Sequence, residues 1–268
     1  MRDGVFETSR RRYGPGFLFS CMDNYFKTRR TVRRFSDRPV TDAEIRSILE
    51  GAMRAPTCGN MQLYSVIVSR EGELRASINE THFNQPAATG ASVILTVCAD
   101  FNRFTRWCRL NNADAAYGNF LSFTSAMTDA LILAQQITTI AEMEGMGCCW
   151  LGTVSYNTPR IRELLRLPEM VFPVAALALG WPAEKPELCE RMEVDSFLHF
   201  DTYKEPSDKE VADYFRIKDE FPANAGFAAE NGKENLAQVF AEVRYPRSVN
   251  EPVSVALLEE LKKAGFIG

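Results

Sequence analysis

Apolar positions recur along this chain with two periods, and the alternation between them lays out a mixed series of helices and strands. Ile45, Ile48, Leu49, Ala52 and Met53 fall at i, i+3, i+4, i+7 and i+8, one face of a helix. Thr41-Asp42-Ala43-Glu44 opens that helix as a capping box, and Pro56 discourages its continuation. Short apolar runs at 63–68 and 93–98 read as strands, with a helix over 71–79 between them. The longest helix spans 122–144, with Ala126, Ala130, Leu133, Ala134, Ile137, Ile140 and Ala141 on a wide apolar face, and it stops at Gly145 as the C′ residue. Thr158-Pro159 starts another helix, and the unbroken apolar run 171–179 suits a central strand. A short helix is expected over 23–30.

Beyond Pro182 the pattern changes. Residues 183–206 are polar and proline-bearing, 207–220 read as a helix, and 221–232 as a Gly/Ala/Asn-rich loop. Two amphipathic helices follow, near 234–243 and 253–263, the last stopped by Gly265. Three parts are therefore expected: an N-terminal tail over 1–21, with Met22 as an alternative start; a main domain over 22–200; and a helical extension over 201–268. The extension is too poor in core residues to stand alone and is expected to pack on the body or on a partner subunit. The segment 100–118 is polar and carries Phe101, Phe104, Trp107 and Tyr117. It reads either as a mobile, aromatic-lined lid or as a surface helix pinned by its aromatics.

Composition narrows the class. Apolar residues make up 46% and charged residues 25%, as in an ordinary globular protein with a substantial core. Thirty-one basic residues against 35 acidic ones give a net charge of −4, which argues against nucleic acid or an anionic membrane as partner. No apolar run reaches the length of a membrane span. The seven cysteines form no CxxC pair, and Cys148 and Cys149 are adjacent, a poor spacing for zinc, so free thiols in a reducing cytoplasm are expected and no metal site. His82 and His199 are the only histidines, which rules out a His-rich metal centre.

Against this acidic background the segment 29–34 is a local exception. Arg29-Arg30-Thr31-Val32-Arg33-Arg34 places four guanidinium groups and a hydroxyl within six residues. Arginine forks match phosphate oxygens bidentately. One helix later comes Thr57-Cys58-Gly59-Asn60-Met61-Gln62, a turning polar loop whose Thr57, Asn60 and Gln62 suit a flat heterocycle edged by donors and acceptors. Together they point to a phosphorylated heterocyclic cofactor. The competing reading is a solvated basic surface followed by an ordinary capped loop. Gly145-Met146-Gly147 is no dinucleotide fingerprint, because it follows a helix and opens none. Its glycine is expected to permit close backbone approach.

The order Arg-Arg-Thr-Val-Arg-Arg-Phe, helix, Ala-Pro-Thr-Cys-Gly-Asn-Met-Gln resembles the nitroreductase family of FMN-dependent oxidoreductases. Gly145 to Gly152 and Phe172 through Pro182 fit the same pattern. The resemblance implies an α+β fold, an antiparallel-dominated central sheet flanked by helices. It implies FMN held by Arg29, Arg30, Thr31 and Arg33, bordered by Thr57, Asn60 and Gln62, with backbone N–H groups of Met146 and Gly147 near flavin N5 and O4. Arg191 stands where the family usually carries a further phosphate-binding cation. NADH or NADPH would supply hydride to flavin N5, and a nitroaromatic, quinone or related small molecule would receive it in a ping-pong cycle with no catalytic side chain. A homodimer with FMN at the subunit interface is implied, and the apolar face of the long helix points the same way. Reductive dehalogenation and flavin fragmentation occur on the same scaffold, and a non-catalytic nucleotide-binding protein is the competitor from another class.

Overall fold

The computed structural model describes residues 25–224 and 226–268. The expectations for the tail over 1–21 and for Met22 as a start lie outside the described residues, and the first expected helix is seen over 25–28. In chain order the principal elements are α1 (Asp42–Ala52), β1 (Tyr64–Ser69), α2 (Glu73–Thr81), β2 (Val93–Asp100), α3 (Asn102–Leu110), α4 (Phe120–Met143), β3 (Gly147–Trp150), α5 (Thr158–Leu164), β4 (Val171–Gly180), α6 (Asp208–Glu220) and α7 (Arg247–Lys263). The four strands form one sheet in the order β1-β2-β4-β3, and every neighbouring pair is antiparallel. The α+β expectation holds.

Side-chain alternation explains why β2 and β4 are apolar throughout. Val93, Leu95 and Val97, with Ala175, Leu177 and Leu179, face α1 and α4 through Ile45, Ile48, Leu133 and Ile137. Ile94, Ala176 and Ala178 face the other way, onto Ile78, Val154 and Ile161. A sheet covered on both faces needs no polar face. Pro173 sits in central β4 opposite Cys98, where the β2–β4 register shifts between Val97 and Cys98. The irregularity accommodates a residue with no N–H to give to the ladder.

Local signals set the helix ends. The Thr41 side chain accepts from Glu44 N while Glu44 reaches back to the Thr41 backbone, the expected capping box. Helix α4 ends in a Schellman arrangement: Gly145, at φ +91°, donates to Glu142 O, and Met146 N donates to Ala141 O.

Several expectations are corrected. The stretch after Gly145 is not open loop but strand β3, whose four residues carry too little alternation to read as one. The segment 100–118 takes the surface-helix alternative over Asn102–Leu110, with Phe101 stacked on Tyr117 at 4.5 Å. The loop 221–232 contains a helical turn, Phe227–Glu230. The helix expected at 234–243 is a short α-turn, Leu236–Gln238, that continues as a π-helical stretch, Val239–Arg244.

Two compact units divide the chain, the first running to Glu187 and taking in Leu257–Gly268, the second being Leu188–Ala256. The expected boundary at 200/201 thus falls inside the second unit. The C-terminal residues belong to the main body because Leu261, Ala264 and Phe266 are buried there with Leu63, Phe101, Phe123 and Phe172. Met170 N donates to Ala264 O at 2.7 Å, and Arg162 pairs with Glu260.

Candidate functional site

The arginine-rich segment lies against the ends of β3 and β4. Val32 N donates to Cys148 O at 3.2 Å, Ser36 N to Trp181 O at 2.8 Å, and Ala183 N to Arg34 O at 3.0 Å, while Phe35 bridges to Pro182. Gly147 and Gly180 are register partners on β3 and β4. A Cβ on Gly147 would meet Val32 at 2.6 Å, and one on Gly180 would meet Phe35 at 2.9 Å. Two facing glycines therefore make the floor on which Val32 and Phe35 rest. Val32 is buried against this floor, whereas Arg29, Thr31 and Arg33 face a common cleft.

These three residues line a cleft of about 380 Å³ with Gln135, Cys149 and Trp150. A larger hollow of about 500 Å³ lies between α1 and β1. Size does not choose between them. The donor set does, because the smaller cleft gathers two guanidinium groups and a hydroxyl without a carboxylate on its wall.

Arg29 is oriented before any ligand arrives. Its Nε donates to Glu142 Oε2 at 3.1 Å and its Nη1 to Thr31 Oγ1 at 3.2 Å, and Nη2 lies 3.0 Å from Glu142 Oε1. Tyr25 donates its hydroxyl to Glu142 Oε2 at 2.7 Å. Burial works against the charged form of Arg29, but the hydrogen bond and charge of Glu142 outweigh it and raise the pKa further. Burial, then the bond and charge of Glu142, push Tyr25 up to about 12. Burial also raises the Cys149 thiol, while Arg33 and Arg29 pull the other way.

The remaining sequence candidates divide. Arg30 does not line the cleft; its Nε is buried without an acceptor. Arg34 is four-fifths exposed and 3.6 Å from Glu184 Oε2. Met146 is buried in the main core, and Gly147 lies beneath Val32. Within the chain, the space a Gly147 side chain would fill is taken by Val32. Arg191 belongs to the second unit, where its Nη1 donates to Glu190 O.

Thr57, Asn60 and Gln62 are not in this cleft. Their loop is held by Asp129 of α4, which accepts from Cys58 N at 2.8 Å and Leu63 N at 3.2 Å. Gly59, Asn60 and Gln62 have φ of 55°, 57° and 55°, left-handed values that are uncommon for glutamine. Thr57 makes no side-chain cap, and the Asn60 and Gln62 side chains are exposed. Along α4, Asp129 and Glu142 are separated by about 20 Å and about 140° of rotation at 1.5 Å and 100° per residue. Gln135 shares the face of Glu142, seven residues on. One chain thus carries two polar assemblies on different faces of one helix.

Sequence reading missed Gln135, Asp129, Glu142, Cys149 and Trp150. The signal was present in α4, since Asp129 and Glu142 are the acidic residues of an otherwise apolar or neutral helix.

Among the described residues, no helix is long and apolar enough to cross a membrane, and no cluster of His, Cys, Asp and Glu could hold a metal ion.

The profile of the Nitroreductase family matches residues 26–181. The oxygen-insensitive NADPH nitroreductase of Salmonella typhimurium is 31% identical over 185 residues, 69% of this chain and 75% of its own length. The FMN reductase [NAD(P)H] of Bacillus subtilis is 30% identical over 245 residues, 88% of this chain and 94% of its own. The solved structure of a Bacteroides fragilis protein named as an oxidoreductase superposes with a TM-score of 0.89 at 40% identity, covering 91% of this chain and all of that one.

Proposed function

Since the chain belongs to the nitroreductase family, we propose that the cleft at Arg29, Thr31 and Arg33 is one half of an FMN site and that the Thr57–Gln62 loop of a second copy supplies the other half. The protein is an NAD(P)H-dependent oxidoreductase with FMN as its cofactor. NADH or NADPH is the donor, and nitroaromatics, quinones or related small molecules are the acceptors. Donor and acceptor use the same opening in turn, a ping-pong order. The free thiols suit a cytoplasmic setting.

The residues fit the cofactor. A terminal phosphate dianion calls for charge-assisted donors, and Arg29, Arg33 and the Thr31 hydroxyl converge on one cleft. Arg30, adjacent in sequence but outside the cleft wall, keeps a buried Nε without a partner. Bound FMN supplies hydride acceptance and release, chemistry that no side chain of the cleft offers. The chain's own contribution is to hold the phosphate, to exclude stray proton donors and to keep the Arg29 fork in place. Met146 and Gly147 act by supporting segment 29–36 from below.

The observation that carries the dimer is the separation of the two polar assemblies on α4. The cleft and the loop lie on different faces of α4, and a two-fold pair would let the loop of one copy complete the cleft of the other. The test is subunit complementation. Arg29→Ala/Arg33→Ala and Asn60→Ala/Gln62→Ala chains each bind FMN poorly as homodimers. Co-expressed, they regain about a quarter of the wild-type sites, since half the pairs are mixed and each mixed pair has one intact site. No regain on mixing, or a mass near the single-chain 30.2 kDa with flavin bound, refutes the shared site.

A further inference from the structure

Glu142 occupies a place its helix does not favour. It lies in the last turn of α4, where the free carbonyl end carries partial negative charge, and that turn has no basic residue of its own. Its side chain is only 8% exposed. A buried carboxylate there needs partners from elsewhere. It finds them in Tyr25, just before the cleft segment, and Arg29, its first residue, both more than 110 residues away in sequence.

The guanidinium plane has two edges, and fixing one directs the other. The edge bearing Nε faces Glu142, and Nη1 is left to Thr31 Oγ1 and the cleft. We propose that Glu142 is a positioning residue for the phosphate clamp: it holds Arg29 in the single orientation that presents Nη1, with the Thr31 hydroxyl, to the phosphate of FMN. Tyr25 holds Glu142 in turn. This rests on the reading of the cleft as the FMN phosphate site.

Two effects oppose each other. A carboxylate near a phosphate dianion weakens its binding, whereas a pre-oriented guanidinium strengthens it by removing the cost of immobilising a long side chain. Glu142 is largely neutralised by the very arginine it orients, with both of its oxygens turned to Arg29, and it does not line the cleft. Orientation therefore wins. The sign is what the experiment reads.

Full-length protein freed of flavin is titrated with FMN and with riboflavin, which shares the ring and lacks the phosphate. The ratio of the two dissociation constants isolates the clamp. In Glu142→Ala the FMN preference falls by about tenfold or more while riboflavin affinity stays within about threefold of wild type. Glu142→Gln keeps an acceptor for Arg29 Nε and restores the preference to at least the wild-type value. An unchanged or increased preference in Glu142→Ala overturns the inference, as does an equal loss in Glu142→Gln. If Glu142→Ala does not fold, Tyr25→Phe loosens the carboxylate without removing it. A reduced preference then supports the inference and an unchanged one overturns it. A wild-type protein that does not prefer FMN to riboflavin sinks the phosphate reading itself, which separates the two failures.

Discussion

The Cβ of Val32 lies 2.6 Å from the point a side chain on Gly147 would occupy, and its two methyl carbons lie at 2.7 and 2.8 Å. Val32 is flanked by the cleft residues Thr31 and Arg33, and its N–H is bonded to Cys148 O. Any atom added at Gly147 therefore pushes directly on the backbone that carries the arginines.

Gly147→Ala should destabilise the protein by about 1–3 kcal/mol, the usual cost of overpacking, and should lower FMN affinity at the same time. Val32→Gly in the Gly147→Ala background removes the colliding atoms and should recover flavin occupancy. Gly152, whose added Cβ would meet nothing within 4 Å, serves as the control. Melting temperature and bound flavin in the three variants check this. Normal flavin affinity in destabilised Gly147→Ala would separate the floor from the clamp.

Replacing Arg29 or Arg33 by Ala removes charge-assisted bonds of about 1.5–3 kcal/mol each, roughly 10- to 150-fold in FMN affinity per arginine. Arg34→Ala should have little effect, since that side chain is largely exposed beside Glu184. Fluorescence titration of the flavin-free protein measures these losses. Mass analysis of the released flavin should give FMN, and FAD would contradict a clamp for a terminal phosphate.

Asp129 is 1% exposed and accepts from the backbone N–H groups at both ends of the Thr57–Gln62 loop. Asp129→Ala strands both donors and should cost about 2–4 kcal/mol. Asp129→Asn keeps one acceptor and should cost less. Urea unfolding gives the energies, and limited proteolysis should find new cleavage between residues 57 and 62 in the alanine variant. A loop still resistant to protease would mean that its left-handed residues hold it unaided.

His82 is buried with Nδ1 2.7 Å from Thr153 Oγ1, and burial, helped by the charge of Arg75, pushes its pKa down to about 4 from 6.5. The unfolded chain takes up the proton first as pH falls. The contribution of neutral His82 is therefore fully present above pH 6.5, declines between 6.5 and about 4, and is flat below. At 1.36 kcal/mol per unit this amounts to roughly 3 kcal/mol. Urea unfolding across that range should show a positive slope of stability with pH that is reduced in His82→Asn. Equal slopes in the two proteins would remove His82 from the acid response.

Local order was legible in the chain alone wherever a short-range cause acts. The Thr41–Glu44 box, the stop at Gly145 and the runs at 93–98 and 171–179 depend on neighbours within a few residues, and each appears in the structure close to where the pattern puts it. The grouping of Arg29, Thr31 and Arg33 was legible for the same reason, because they lie at alternate positions of one short segment and line one cleft.

What the tertiary structure alone decided is where those pieces meet. Strand β3 escaped notice because its four residues are held by pairing with β4, not by any propensity of their own. The group that packs over Gly147 is Val32, which lies 115 positions earlier and which no spacing rule connects to it. Glu142 and Asp129 went unnoticed in the sequence, where nothing marks the partner of either. Folding gives one Arg29 as its partner and the other a loop to hold, on different faces of α4. Sequence determined which chemistry the chain carries. Long-range packing determined that the arginine segment and the Thr57–Gln62 loop meet different faces of α4.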